Sequence, residues 1–545
     1  MSTTDDDVKQ SWLPMFVIGM GQTQMSLNIN ALPVSIGGIV AEFNVAPTTV
    51  GTAIVAYSLG VAGFIMLGAK LGQMFGSLKV FRAATLALLV AVALVTFAPN
   101  ATVLIMAQLM AGLAASVIVP TLVVLIANNY RGKQQATCLG MLGSVQAAAT
   151  VTAFFMAGVI GDLFSWRYAF GLVIPFTALT LLLSFKLKPV PPLPGTKIDM
   201  VGVVLAASAI ILISFGFNNL NRWGLTLSGP NAPFSILGLS PAPVMIVVGV
   251  IAMQLFVAWT QRRQAAKLTP LLSLEVLDSR QERGAAFAMA MIVILGNAMT
   301  FLSPLYIQMV QGRSSFDTAV AMIPYQLAVF TAAMLVVRFY QSHTPQQIAR
   351  YSFALVAVGM AILAFVMFNE WSNLLVVLGL VTVGLGQGAL VTLLFNVLVT
   401  SSPKELAGDV GALRGTVNNL SAGVGTAIAG ALAVGFLSAN IKQAVVDHPE
   451  LPPSLVAQVD LNNATFVNNE RLEATLARTT ATPEQVKAAA QVNAEARLRA
   501  LKLTFLILSM IALLMIVPVR MLPAFRPGEV PPGPQPQPQS GGKPA

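Results

Sequence analysis

Charge is scarce in this chain: Asp, Glu, Lys and Arg make up 10% of its 545 residues, against roughly a quarter in ordinary soluble domains. Cysteine is scarcer still. Cys138 stands alone, which excludes an internal disulfide and leaves a thiolate metal site without a second ligand. Histidine occurs twice, at His343 and His448, far apart in sequence and in loops. No metal-ligand spacing, phosphate-binding glycine loop or cofactor motif is present, so neither metal nor cofactor is expected and an enzyme is not the reading. The N-terminus has no basic segment leading into a cleavable apolar stretch. It carries Asp5, Asp6 and Asp7 instead, so no signal peptide is read.

What the chain has in abundance is apolar length. Hydrophobic residues are 56% of it, and mean hydropathy is +0.77. Thirteen stretches contain no Lys, Arg, Asp or Glu, from 10–41 at one end to 503–519 at the other. A helix crossing roughly 30 Å of hydrocarbon needs about 20 mostly apolar residues. The stretch 83–130 is long enough for two and holds the turn signal Ala98-Pro99-Asn100. Fourteen spanning helices result. The runs are too long for barrel strands and lack their alternation, so the chain reads as an all-α membrane protein. The expected organisation is a short N-terminus (1–12), a six-helix half (13–186), two additional helices (199–262), a second six-helix half (284–522) and a Pro-rich, compositionally disordered tail (524–545).

The net charge of +10 would suggest nucleic acid in a soluble protein, but its distribution points elsewhere. With the N-terminus placed in the cytoplasm, the short loops on that side and the two tails hold 21 Lys and Arg. The opposite short loops hold three, namely Arg167, Arg222 and Arg313. That is the positive-inside pattern, and it places both termini in the cytoplasm. The basic clusters are topological anchors, and no nucleic-acid partner is expected. The remaining seven lie in the long connection before the last helix, which is exempt from the rule. This outer loop, 441–499, is polar and contains Thr482-Pro483-Glu484-Gln485, a capping-box helix start. It also holds the triplet Asn463-Ala464-Thr465, a chance match to a glycosylation acceptor.

Polar side chains inside the spans are the informative minority, because lipid makes them costly. The candidates for a central, water-accessible cavity are Gln24, Asn28 and Asn30 in helix 1, Gln108 in helix 4 and Gln146 in helix 5. Asn297 in helix 9, Tyr325 and Gln326 in helix 10, Gln387 in helix 12 and Asn418 and Asn419 in helix 13 complete the set. All 21 carboxylates fall outside the middles of the spans, and no Lys, Arg or His is placed there either. A path lined by amides and hydroxyls alone should prefer neutral substrates over lipophilic cations. Small residues recur in helices 2, 12 and 13, where Gly68, Gly72 and Gly76, then Gly384, Gly386 and Gly388, then Gly411 and Gly415 allow close packing.

Several local motifs match a known family in part. After helix 2 the chain reads Ala69-Lys70-Leu71-Gly72-Gln73-Met74-Phe75-Gly76-Ser77-Leu78-Lys79. After helix 5 it reads Ser165-Trp166-Arg167-Tyr168-Ala169-Phe170. With the fourteen spans, the two extra helices and the long loop before helix 14, these resemble the fourteen-helix drug:proton antiporter branch of the major facilitator superfamily. The resemblance implies the major facilitator fold, two six-helix halves with two extra helices between them. It also implies that Leu71, Gly72, Gln73, Gly76 and Lys79 belong to a gating loop that latches the halves. Departures fall at chemical positions. Gln73 and Gln24 stand where the family has acids, and Gln108 where it has the Arg associated with proton transfer. The antiporter motif's Gly-Pro bend is absent from Ala153–Gly158.

The function implied is a multi-pass secondary transporter of the bacterial inner membrane, exporting small hydrophobic or amphipathic molecules by alternating access. Its partners are the lipid bilayer and a small-molecule substrate, and its working unit is a monomer. Proton coupling follows from the resemblance, while the missing acids favour an uncoupled facilitator equally. A periplasmic adaptor is left open by the sequence. The altered motifs also raise a second class, a transporter-derived sensor or scaffold that no longer transports.

Overall fold

A computed structural model describes residues 10–45, 47–193, 195, 197–229, 232–313, 315–340, 342–368, 374–402, 404–447, 472–473, 476 and 482–524. His448, the Asn463 triplet and the tail from 525 lie outside the described residues. Helices dominate, and no strand forms among the described residues. The spanning helices are α1 (Leu13–Val34), α2 (Pro47–Phe75), α3 (Ser77–Thr96), α4 (Ala101–Asn129), α5 (Gly132–Phe155) and α6 (Trp166–Ser184). The pair α7 (Met200–Trp223) and α8 (Pro241–Ala265) follows. Then come α9 (Arg280–Leu305), α10 (Ser315–Phe339), α11 (Pro345–Val366), α12 (Leu374–Ser401), α13 (Ala407–Asp447) and α14 (Pro483–Leu514).

Helices are what a chain without water must form, since each closes its own backbone hydrogen bonds. Thirteen of the described helices are long and apolar enough to cross a membrane. The fourteenth, α1, has the length at 22 residues but carries Gln22, Gln24, Asn28 and Asn30. Local signals set the boundaries. Asn100 caps α4 by accepting from Val103 N at 3.0 Å, which splits the 83–130 run into α3 and α4 as its turn signal predicts. The Thr482 capping box also forms: Gln485 N donates to Thr482 Oγ1, and Thr482 N donates to Gln485 Oε1. Ser279 and Thr344 open α9 and α11 in the same way.

The first six and last six helices form two bundles. Between them α7 packs against α2 on one side and α13 on the other, while α8 packs on α7 and turns Val247, Val250, Ile251 and Leu255 outward. The described chain begins at Gln10 and ends at Ala524 on one face of the bundle, the terminal face. Glycines permit the closest crossings. A Cβ on Gly68 would strike the Ser116 carbonyl of α4, and one on Gly415 would strike Ile65 of α2 across the seam between the halves. Gly76 sits at φ +92°, with the Val190 carbonyl 2.9 Å from where a Cβ would stand, so the gating loop's turn needs glycine there.

Candidate functional site

Residues from both halves converge on a central cavity of about 560 Å³. Eight of the eleven candidate residues line it: Asn30, Gln146, Asn297, Tyr325, Gln326, Gln387, Asn418 and Asn419. Asn30 Nδ2 donates to Ser26 O at 2.7 Å and reaches Thr150 Oγ1 at 3.3 Å, joining α1 to α5. Asn297 and Asn419 each spend their N–H₂ on a carbonyl one turn earlier, Val293 O and Gly415 O, which leaves their amide oxygens as acceptors. The Tyr325 hydroxyl donates to Gln387 Oε1. Val61, Val119, Val293, Val329 and Val391 supply apolar wall between these polar groups.

Gln24, Asn28 and Gln108 do not line the cavity. Helix α1 presents two adjacent faces, and the one holding Ser26, Ile29 and Asn30 looks inward. The other packs within its own half, where Asn28 Nδ2 donates to Gln108 Oε1 at 3.0 Å and the pair is closed from solvent. Gln24 is wholly buried, with neither amide atom hydrogen-bonded among the described residues.

One cavity residue overturns a reading of the sequence. Arg414 is on the lining, 7% exposed, with its guanidinium carbon 4.2 Å from the centre of the Phe395 ring. The charge-free stretch begins at 415, which assigns Arg414 to a loop, but α13 starts at Ala407 and carries it two turns into the bundle. The path is therefore not uncharged. No carboxylate lines it among the described residues.

Beneath the cavity the halves are tied at the terminal face. Asp409, fully buried at the start of α13, accepts from Lys70 Nζ at 3.3 Å, Gln73 Nε2 at 3.2 Å and Ser273 N at 3.0 Å. Lys70 Nζ also donates to Gln73 Oε1 at 3.0 Å. The segment that the resemblance marks as a gating loop thus reaches the opposite half through Lys70 and Gln73, while Leu71 is half-buried, Gly72 is buried in the last turn of α2, Gly76 is buried in the turn after it and Lys79 is exposed. Further up, Ser144 Oγ donates to Phe330 O at 3.1 Å between α5 and α10.

At the opposite face Arg167 makes a different knot, inside the first half. It donates to Glu42 Oε1 through Nε and Nη2 at 2.9 and 2.7 Å, and to the carbonyls of Thr96 and Ala98 at 2.6 and 2.7 Å. Trp166 Nε1 donates to Glu42 Oε2 at 2.7 Å. Glu42 lies on the short helix Ile36–Phe43, past the end of α1. The Arg167 hydrogen bonds hold its carboxyl below the usual carboxylate range against the smaller opposing effect of burial. It stays ionised at neutral pH, which makes it a poor proton carrier there.

A family profile, the Major Facilitator Superfamily, matches residues 16–426. The chain belongs to this superfamily. Among its relatives, a probable actinorhodin transporter of Streptomyces coelicolor is 24% identical over 445 residues, 80% of this chain and 75% of the relative. A multidrug efflux pump of Mycolicibacterium smegmatis, LfrA, is 22% identical, over 79% of this chain and 82% of its own length. Among solved structures, the human organic anion transporter MFSD10 superposes with a TM-score of 0.57 at 11% identity, covering 93% of this chain and 99% of that one. That likeness is one of fold. The relatives fit the drug:proton antiporter branch that the motifs resemble, and the protein is a membrane-embedded transporter of the major facilitator kind.

Two departures from the family's motifs coincide with features of the structure. Beside Gln73, where the family's loop has its own acid, stands the carboxylate of Asp409 from the other half, bonded to Gln73 and Lys70. Where the antiporter motif would bend at Gly-Pro, α5 instead makes a π-helical turn at Met156–Ile160.

Proposed function

We propose that the protein exports small amphipathic molecules across a bacterial inner membrane by alternating access, with both termini in the cytoplasm. The observation that carries this is the cavity itself: amides and hydroxyls from both halves around about 560 Å³, above a latch that joins the halves at the terminal face. Positive-inside asymmetry supports the orientation, and export agrees with a relative named as a multidrug efflux pump. Substrates enter where the amide groups can exchange their unpaired donors and acceptors for those of a solute.

Coupling is the second question. A proton antiporter needs a carboxylate or similar group that faces the substrate path in turn, and no described carboxylate lines this one. We therefore favour an uncoupled or atypically coupled carrier. Reconstituted protein should release a preloaded fluorescent amphiphile at a rate that an imposed pH gradient changes by less than about twofold. A tenfold stimulation would overturn the uncoupled reading and direct attention first to Asp317, and to Glu42 only if the Arg167 bonds that hold it ionised open during transport. Absence of any transport, with substrate still bound, would favour a sensor derived from a carrier.

A further inference from the structure

This inference rests on the transporter reading and concerns what its cavity grips. Arg414 is 93% withdrawn from solvent by its 7% exposure, faces the cavity and has no hydrogen-bond or ion-pair partner among the described residues. Among the described residues its one contact of electrostatic consequence is the Phe395 ring. A ring face recovers on the order of 1–2 kcal/mol for a guanidinium, far less than the cost of burying an unpaired charge. Asp409 is five residues earlier on the same helix. That is about 7.5 Å along the axis and roughly 140° around it, on a face already committed to the latch. It does not neutralise Arg414. The guanidinium therefore stands at the closed end of the cavity with apolar wall above it, and among the described residues its planar fork of donors is unclaimed and no carboxylate on the lining competes for it.

We infer that Arg414 forms an anion subsite at the cavity floor, and that the preferred substrates are amphipathic organic anions whose carboxylate or similar oxyanion pairs with it. Asn418, one turn above on α13 and also on the lining, is placed to add an amide donor to the same head group. The apolar body of such a molecule would lie among Val61, Val119, Val329 and Val391. The neutral-substrate preference expected from an uncharged path gives way to a preference for anions, and the disfavour toward lipophilic cations becomes stronger.

The test uses the full chain in lipid nanodiscs and three probes of matched length: 1-pyrenebutyrate, its primary amide and 4-(1-pyrenyl)butylammonium, with binding read by fluorescence anisotropy. Because charge-assisted hydrogen bonds are about twice as strong as neutral ones, the carboxylate should bind at least about tenfold more tightly than the amide, and the ammonium most weakly. Arg414→Gln should erase the carboxylate's advantage while leaving amide affinity within about twofold, and Arg414→Lys should retain part of it, keeping the charge but not the fork. If Arg414→Gln does not fold, Asn418→Asp takes its place: a carboxylate one turn from Arg414 should abolish the preference, and an unchanged preference overturns the subsite. Equal affinity of wild type for carboxylate and amide overturns it, as does a loss in Arg414→Gln that is the same for both, which marks a guanidinium that merely packs on Phe395. Both results leave the transporter reading standing. Binding of none of the three probes overturns subsite and cavity reading together.

Discussion

Asp409 receives donors from Lys70, Gln73 and Ser273 in a site closed from water, so its charge is spoken for three times. Lys70 is 3% exposed and pairs with no other acid among the described residues. Removing one member of such a pair strands the other, a loss of about 3–5 kcal/mol in buried sites, whereas removing both exchanges two desolvation costs for apolar packing. Asp409→Asn should therefore lower the thermal midpoint of the purified protein by several degrees. Lys70→Met combined with Asp409→Leu should recover a large part of that fall, read by scanning fluorimetry. A double variant no more stable than the single one would mean that the pair contributes through its geometry and not through the stranded charge.

At the scale of the helices, close packing depends on particular missing methyl groups. Gly68 lets α2 rest on the Ser116 carbonyl of α4, while Gly51, on the same helix, has open space where a Cβ would go. Gly68→Val should abolish folded protein in size-exclusion chromatography, and Gly51→Ala should raise the thermal midpoint slightly, as expected for a gain of about 1 kcal/mol in helix propensity. Equal outcomes for the two would show that the α2–α4 crossing is not as tight as described. Element existence was legible because lipid excludes charge: the charge-free runs, the turn at Ala98-Pro99-Asn100 and the Thr482 capping box mark nearly every helix. Facing was not. Gln24 and Asn28 occupy a stripe next to that of Ser26 and Asn30, and only the packing of α4 on the first stripe decides which one meets the cavity. Arg414 was illegible for the same reason that made the runs useful. A charge ends a run in sequence, but an arginine stacked on Phe395 and turned toward a wet cavity can sit well inside a span.

For the whole molecule, hydrogen bonds between the halves to Asp409, and from Asn396 Nδ2 to Ala136 O near the start of α5, lie toward the terminal face, so the cavity is closed there. Cys138 is buried and, once replaced by Ser, gives a background for single cysteines. In that background a cysteine at Asn30 or Asn297 should react with a membrane-impermeant maleimide added to the face opposite the termini, at least about tenfold faster than when it is added to the terminal face. Reaction from the terminal face alone would reverse the direction of opening. Asp409→Asn should narrow the difference by loosening the latch.

The extra helices give the fold a third body at its seam. Because α7 touches α2 in one half and α13 in the other, any rotation of the halves shears two interfaces of α7 at once. A second, smaller hollow of about 200 Å³ lies along it, where Ser214 and Asn218 of α7 meet Ser58, Asn297 and Asn419 from the main chamber. The inserted pair thus behaves as a hinge plate fixed to a door and its frame: its thickness limits the swing, and its inner edge forms part of the room.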